Sequence, residues 1–265
     1  ADEGDGVLLS NVTAVDNGEH GVRLEIPETV RNLTATDNDG DGIKVTADAD
    51  GATITDVTAK RNGDGIEVSV DNATVRDAVA TNNSQYGVSA IGVVNDTYDN
   101  VTITRSGRNG IRLDEGGTLV DSVVRNNTQD DSYTDPGISV NGKNATVRNV
   151  TVAENQDGIE IDGSKNVVVR DTTVTNNTKR GVFLDTDSTN ATLRSVTATD
   201  NSKGVFTEPR AGENLTLTGV TARNNTDVGI SLAPRSGTRV DDTVTANNTN
   251  AELLARASTS SPAPP

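Results

Sequence analysis

Phe183 and Phe206 are the only phenylalanines in the chain, they stand 23 positions apart, and an acid follows each two residues later, Asp185 and Glu208. Glu160, followed by Asp162, stands 23 positions before Phe183. An aromatic face beside carboxylates suits a sugar, because the ring covers the apolar side of a pyranose while the carboxylates take its hydroxyls. The candidate substrate-contacting set is therefore Phe183, Phe206, Glu160, Asp162, Asp185 and Glu208. Paired carboxylates also serve as acid and base in glycoside cleavage. The plainer alternative is an aromatic ladder that stiffens the chain, with acidic neighbours arising by composition, since 39 residues are Asp or Glu.

A second group lies upstream. Arg112 and Asp114 share the spacing of the acidic pairs, and residues 128–136, TQDDSYTDP, carry Asp130, Asp131, Tyr133 and Asp135. These would line a cleft, which makes Arg112, Asp114, Asp135, Asp162 and Asp185 the candidate catalytic residues. An ordinary surface loop is the other reading. The run Asp37-Asn38-Asp39-Gly40-Asp41-Gly42 places carboxylates at alternate positions with a glycine bend, as at the opening of a calcium loop. Asp37, Asp39 and Asp41 are thus candidate Ca²⁺ ligands, with Asp64 of the next repeat as an addition. Asp48 falls where an EF-hand has its bidentate acid, but the flanking segments read as strands, which excludes an EF-hand. A hydrated acidic corner is the alternative. His20, the one histidine, reads as a solvated turn residue.

The elements that must hold these side chains follow from a repeat. Gly followed by Ile or Val recurs at Gly21, Gly42, Gly65, Gly87, Gly110, Gly137, Gly158, Gly181, Gly204 and Gly229. That near-constant period marks a stacked solenoid. Within each period Val, Ile, Leu and Thr alternate with polar residues, in runs too short and too β-branched for helices. The third full turn predicts strands at 66–68, 74–76 and 78–81. Strands recurring once per period pair in parallel with their copies one turn away, about 4.8 Å apart. The predicted fold is all-β: a single-domain right-handed parallel β-helix of about eleven turns, three short strands per turn, forming a rod on the order of 50 Å long.

Two polar columns mark the corners. Asn17, Asn38, Asn62, Asn83, Asn127, Asn155, Asn177, Asn201, Asn225 and Asn248 form one, interrupted by Ser106. Asn11, Asn32, Asp56, Asp77, Asn100, Asp121, Asn149, Asp171, Ser195, Gly219 and Asp242 form the other. Asn accepts the left-handed backbone of a sharp corner, and stacked amides bond from turn to turn. In the opening strand, Gly-[Ile/Val]-x-[Val/Leu]-x, alternation turns the x positions outward. Arg112, Glu160, Phe183 and Phe206 lie in the first outward column, and Asp114, Asp162, Asp185 and Glu208 in the second.

The formal net charge is −16, spread over all turns, which argues against a nucleic-acid partner. With Asp over Glu and Arg over Lys, this surface resembles those of halophilic archaeal proteins. Cys, Met and Trp are absent, so disulfides and thiol chemistry are excluded. No apolar run is long enough for a membrane span. The chain opens at Ala1, which fits removal of a signal sequence as well as a recombinantly expressed segment. Fourteen Asn-X-Ser/Thr sequons fit a secreted glycoprotein, although the repeat itself generates such triplets. Residues 1–250 are expected to form the β-helix and 251–257 a short cap. Residues 258–265 read as a Ser/Pro-rich tail that reaches an adjacent domain or the envelope.

The Asn-x-x-x-Gly-Ile-x-Val element followed by Thr-Val-x-Asn, repeated from Gly6 to Asn250, resembles the broad family of parallel β-helix repeat proteins. That family includes pectate lyases, polygalacturonases, alginate epimerases and the NosD-like copper-accessory proteins. The resemblance implies the fold and leaves activity open. Glu19-His20-Gly21 stands where polygalacturonases have Gly-His-Gly. Tyr133, Asp135 and Pro136 are followed by Gly137, where the epimerases continue with His. Arg112 with Asp114 is a loose counterpart of the lyases' Arg base and calcium carboxylates. A single imidazole leaves a copper role without ligands. The sequence thus points to a secreted or cell-surface scaffold that contacts a polysaccharide or surface glycan without catalysis. The alternatives are a lyase, epimerase or hydrolase acting on an acidic polysaccharide, and a purely structural spacer.

Overall fold

The computed structural model describes residues 7–25, 28–46, 49–128, 135–233 and 236–255. Asp48, Asp130, Asp131, Tyr133 and residues 256–265 lie outside these. The described chain is an all-β solenoid of two parallel sheets, one of eleven strands and one of fifteen. About ten turns are stacked, with three strand segments in each.

The eleven-stranded sheet holds the short Gly-Ile strands, such as Ile43–Val45, Ile66–Val68 and Ile159–Ile161. Their buried–half-buried–buried pattern places Ile and Val in the core and the middle residue outward. The fifteen-stranded sheet holds the other two segments of each turn. Strands expected at 74–76 and 78–81 form one strand, Thr74–Thr81, which turns through Asp77 without losing register. Elsewhere the corner divides them, as in Thr146–Arg148 and Thr151–Ala153.

The corner chemistry is explicit in the backbone. All eleven residues of the column from Asn11 to Asp242 have positive φ, between 46° and 64°. Asn and Asp tolerate this left-handed conformation, and Gly219 adopts it freely. At the second corner the left-handed residue is the one before each ladder Asn, such as Asp37, Arg61, Asn82 and Asn176. The ladder Asn therefore does not bend the chain, contrary to the expectation. It points inward, and its Oδ1 accepts from the preceding turn's Asn through both backbone N and Nδ2, at 3.0 and 3.2 Å between Asn155 and Asn177. A third corner carries an exposed ladder, Asn144, Asn166, Asn190 and Asn214, linked Nδ2 to Oδ1 at 3.0 Å.

The core is a column of small aliphatic side chains, with Tyr98 the largest fully buried one. Glycine before Ile is required by close approach: a Cβ on Gly158 would lie 2.5 Å from the Gly181 carbonyl oxygen and 2.4 Å from Val174 Cγ1. Residues 251–255, the first part of the expected cap, form the eleventh strand, pairing with Val228–Leu232 and leaving Leu253 exposed.

Candidate functional site

The short-strand sheet sets the first outward column in register. Arg112 pairs with Ser139, Ser139 with Glu160, Glu160 with Phe183, Phe183 with Phe206, and Phe206 with Ser231. The residues before each Gly form a rim at the start of these strands, and the second outward column forms a rim at their ends. The sheet face between the rims is the candidate groove.

Phe183 and Phe206 do stack on adjacent turns, their ring centroids 5.9 Å apart. Phe183, however, is not exposed as the sequence suggested; it retains 3% of its surface. The reason lies in the rim. Arg180 makes two hydrogen bonds to the fully buried Asp157, Nε to Oδ1 at 2.7 Å and Nη2 to Oδ2 at 2.6 Å. So anchored, its guanidinium lies flat over Phe183, 3.4 Å from the centroid. Phe206 is half-buried, with Lys203 Nζ 4.3 Å from its centroid. Thr178, Lys179, Arg180, Ser202, Lys203, Phe206 and Glu208 line an open groove of about 300 Å³.

Glu160 stands one turn before Phe183 in the same outward column. Burial, reinforced by the Asp157 charge and then by Asp185 and Asp162, pushes its carboxyl up to about 7, against the pull of Arg180. Asp162 is also raised, first by burial and then by Asp185. A carboxyl raised to near neutrality can both give and take a proton, which is what acid–base chemistry uses.

The upstream candidates are spread over both rims. Arg112 Nε donates to Asp114 Oδ1 at 3.1 Å, while Asp114 Oδ2 accepts from the Gly92 N–H at 2.5 Å. Asp135 lies at the other rim, accepting from Arg108 Nε at 2.9 Å, and that guanidinium covers Tyr86 at 4.9 Å. Arg112 and Asp135 therefore belong to two separate ion pairs and form no shared constellation.

The calcium reading meets a specific obstacle. Asp37, Asp39 and Asp41 do not converge: Asp37 is held by Arg61 of the next turn. Among the described residues, the acids whose oxygens come within 4.8 Å of one another are Asp41, Asp64 and Glu67. Lys44 already serves them, its Nζ 3.3 Å from Asp41 and 2.5 Å from Glu67. Three further oxygens are also taken: Asp41 Oδ1 accepts from Asp64 N at 3.1 Å, Asp64 Oδ1 from Tyr86 N at 2.9 Å and Glu67 Oε1 from Ser69 Oγ at 3.1 Å. An ammonium stands where a cation would, so the residues do not fit a calcium ion. His20 Nδ1 accepts the Asp41 N–H at 3.0 Å, a turn contact.

Sequence reasoning missed this aspartate ladder and the Asp157–Arg180–Phe183 stack. The signal was present in the Asp that precedes Gly at Asp41, Asp64 and Asp157. It also missed Asp96, buried under Tyr98, whose hydroxyl donates to it at 3.1 Å.

The model for the right-handed β-helix region matches residues 1–96 and 89–250. This chain belongs to the right-handed β-helix family. Its structure is similar to that of the pectate lyase Pel9A, with TM-score 0.66 and 16% identity over 91% of this chain and 74% of that one. The Azotobacter vinelandii mannuronan C-5 epimerase AlgE6 A-module gives TM-score 0.68 and 16% identity over 93% and 81%. The periplasmic alginate epimerase AlgG gives 0.56 and 12% over 89% and 70%. No curated protein matches the chain in sequence. At such identities the likeness is one of fold. Among the described residues no helix is long and apolar enough to cross a membrane.

Proposed function

We propose that this β-helix is a secreted or cell-surface domain that binds a polysaccharide along the outer face of its short-strand sheet. The observation that carries the reading is the groove at Phe206. A half-exposed ring is fixed from below by Phe183 and flanked by hydroxyls, ammonium groups and the Glu208 carboxylate, a lining that matches both faces of a pyranose. The solved neighbours include proteins named for pectate and mannuronan chemistry, which supports a saccharide as the ligand class.

A second reading, that the domain also cleaves or epimerises the chain it binds, is favoured by Glu160, whose carboxyl is raised to about 7 by burial and, among other charges, by Asp185 and Asp162. One experiment separates the two. Neutral and uronic polysaccharides are incubated with the protein and with Glu160→Gln, and binding is recorded together with reducing-end or unsaturated products. Binding without products supports the scaffold; products abolished by Glu160→Gln make the domain an enzyme; silence on both counts overturns the saccharide reading.

A further inference from the structure

On the opposite sheet, one outward column changes character halfway along the rod. Arg148, Arg170 and Arg194 are direct neighbours in register on three successive turns, outward of the buried Val147, Val169 and Leu193. At about 4.8 Å per turn they form a guanidinium strip about 10 Å long. Like charges placed directly opposite in a sheet repel. Three and two turns before Arg148 the same column shows the ordinary solution, Arg76 facing Asp99 at 3.2 Å. In the strip only Arg170 has an ion pair among the described residues, with the exposed Asp171 of its own strand, at 2.8 Å. Arg148 and Arg194 have none there, in a chain carrying 39 acids against 23 Lys and Arg.

We infer that this strip is a second binding surface, separate from the Phe206 groove, for a linear anionic polysaccharide whose carboxylate or sulfate groups repeat along its length. Evenly spaced guanidinium forks receive such groups with paired hydrogen bonds. The flanking column on the same face is Thr146, Val168 and Thr192, and the Asn166 ladder lies at the corner, so hydroxyls and amides for sugar hydroxyls stand on either side of one small apolar contact. No aromatic residue shares the three-turn strip to stack a base, which favours a saccharide over a single-stranded nucleic acid.

The test uses polygalacturonate, dextran sulfate and neutral dextran as probes, with duplex and single-stranded DNA as competitors. The triple variant Arg148→Gln, Arg170→Gln, Arg194→Gln is compared with wild type and with Arg223→Gln, an exposed arginine elsewhere, after thermal unfolding shows each folded. The triple variant is expected to lose about tenfold or more in affinity for one or both anionic probes, with a flatter salt dependence. Arg223→Gln and neutral dextran remain unaffected. Selective loss toward polygalacturonate assigns a carboxylate, and toward dextran sulfate a sulfate. Equal binding by the triple variant and wild type, or tighter retention of DNA than of either anionic glycan, overturns the inference. Protection from hydrogen exchange in the strip strands Thr146–Arg148, Val168–Thr175 and Thr192–Thr199 on addition of an anionic probe, absent from the triple variant, separates the strip from the groove.

Discussion

Individual residues in this rod are legible as members of ladders, and Ser106 is the broken step. Each ladder Oδ1 normally receives two donors from the turn before, but Ser106 presents only a buried hydroxyl that is without a hydrogen-bond partner, and Asn83 has no amide oxygen to bond. Its own N–H still reaches Asn127 Oδ1 at 3.0 Å, so the backbone is already placed for an asparagine. Ser106→Asn is therefore expected to stabilise the fold by about 1 kcal/mol, read from chemical denaturation. Asp96 makes a second prediction. Burial raises it from 3.8 to about 7. An acid that holds its proton more tightly when folded contributes most stability below its unfolded pKa, and that contribution declines as pH rises through its folded pKa. Asp96→Asn removes the dependence, so the variant should gain on wild type by on the order of 1–3 kcal/mol between about pH 5 and pH 8. Denaturation at both pH values checks this.

The sheet elements decide which of the two phenylalanines carries structure and which meets solvent. Phe183 lies under Arg180 and touches Phe206, so Phe183→Ala leaves a cavity beneath an anchored guanidinium and is expected to cost about 3 kcal/mol. Phe206→Ala, at a half-buried position, should cost less than about half of that while weakening glycan binding. Paired thermal unfolding and titration calorimetry separate the two roles. The columns themselves were readable in the sequence because a parallel stack repeats one register, so Gly-to-Gly spacing alone aligns Glu160, Phe183 and Phe206. What that spacing cannot display is where a long flexible side chain lies. Arg180 reaches Asp157 and covers Phe183, and Lys44 turns to Asp41, one acid of the calcium-loop run, and to Glu67 of the next turn. Charge pairing across turns decides both, and that depends on side-chain reach as well as column. The guanidinium strip was equally readable, since Arg148, Arg170 and Arg194 each stand one residue before Asn149, Asp171 and Ser195 of the second polar column; what the spacing does not display is which of these arginines finds an acid.

For the whole molecule, stability is a sum over turn-to-turn interfaces, the described core being built mostly of small aliphatic side chains with Tyr98 the largest. A net charge of −16 spread along a rod opposes that stacking through self-repulsion. Raising KCl from about 0.1 M to about 2 M should therefore raise the unfolding temperature, because screening shortens the reach of repulsion from about 10 Å to a few ångström. The two faces then have distinct work: the short-strand sheet carries the aromatic groove and the long-strand sheet the cationic strip. The most direct measurement is hydrogen–deuterium exchange with and without a polysaccharide from the panel that binds. The account predicts protection of residues 156–161, 178–184 and 202–208 on the short-strand face, lost there with Phe206→Ala. Unchanged exchange in those segments at saturating glycan, or protection that survives Phe206→Ala undiminished, would contradict it.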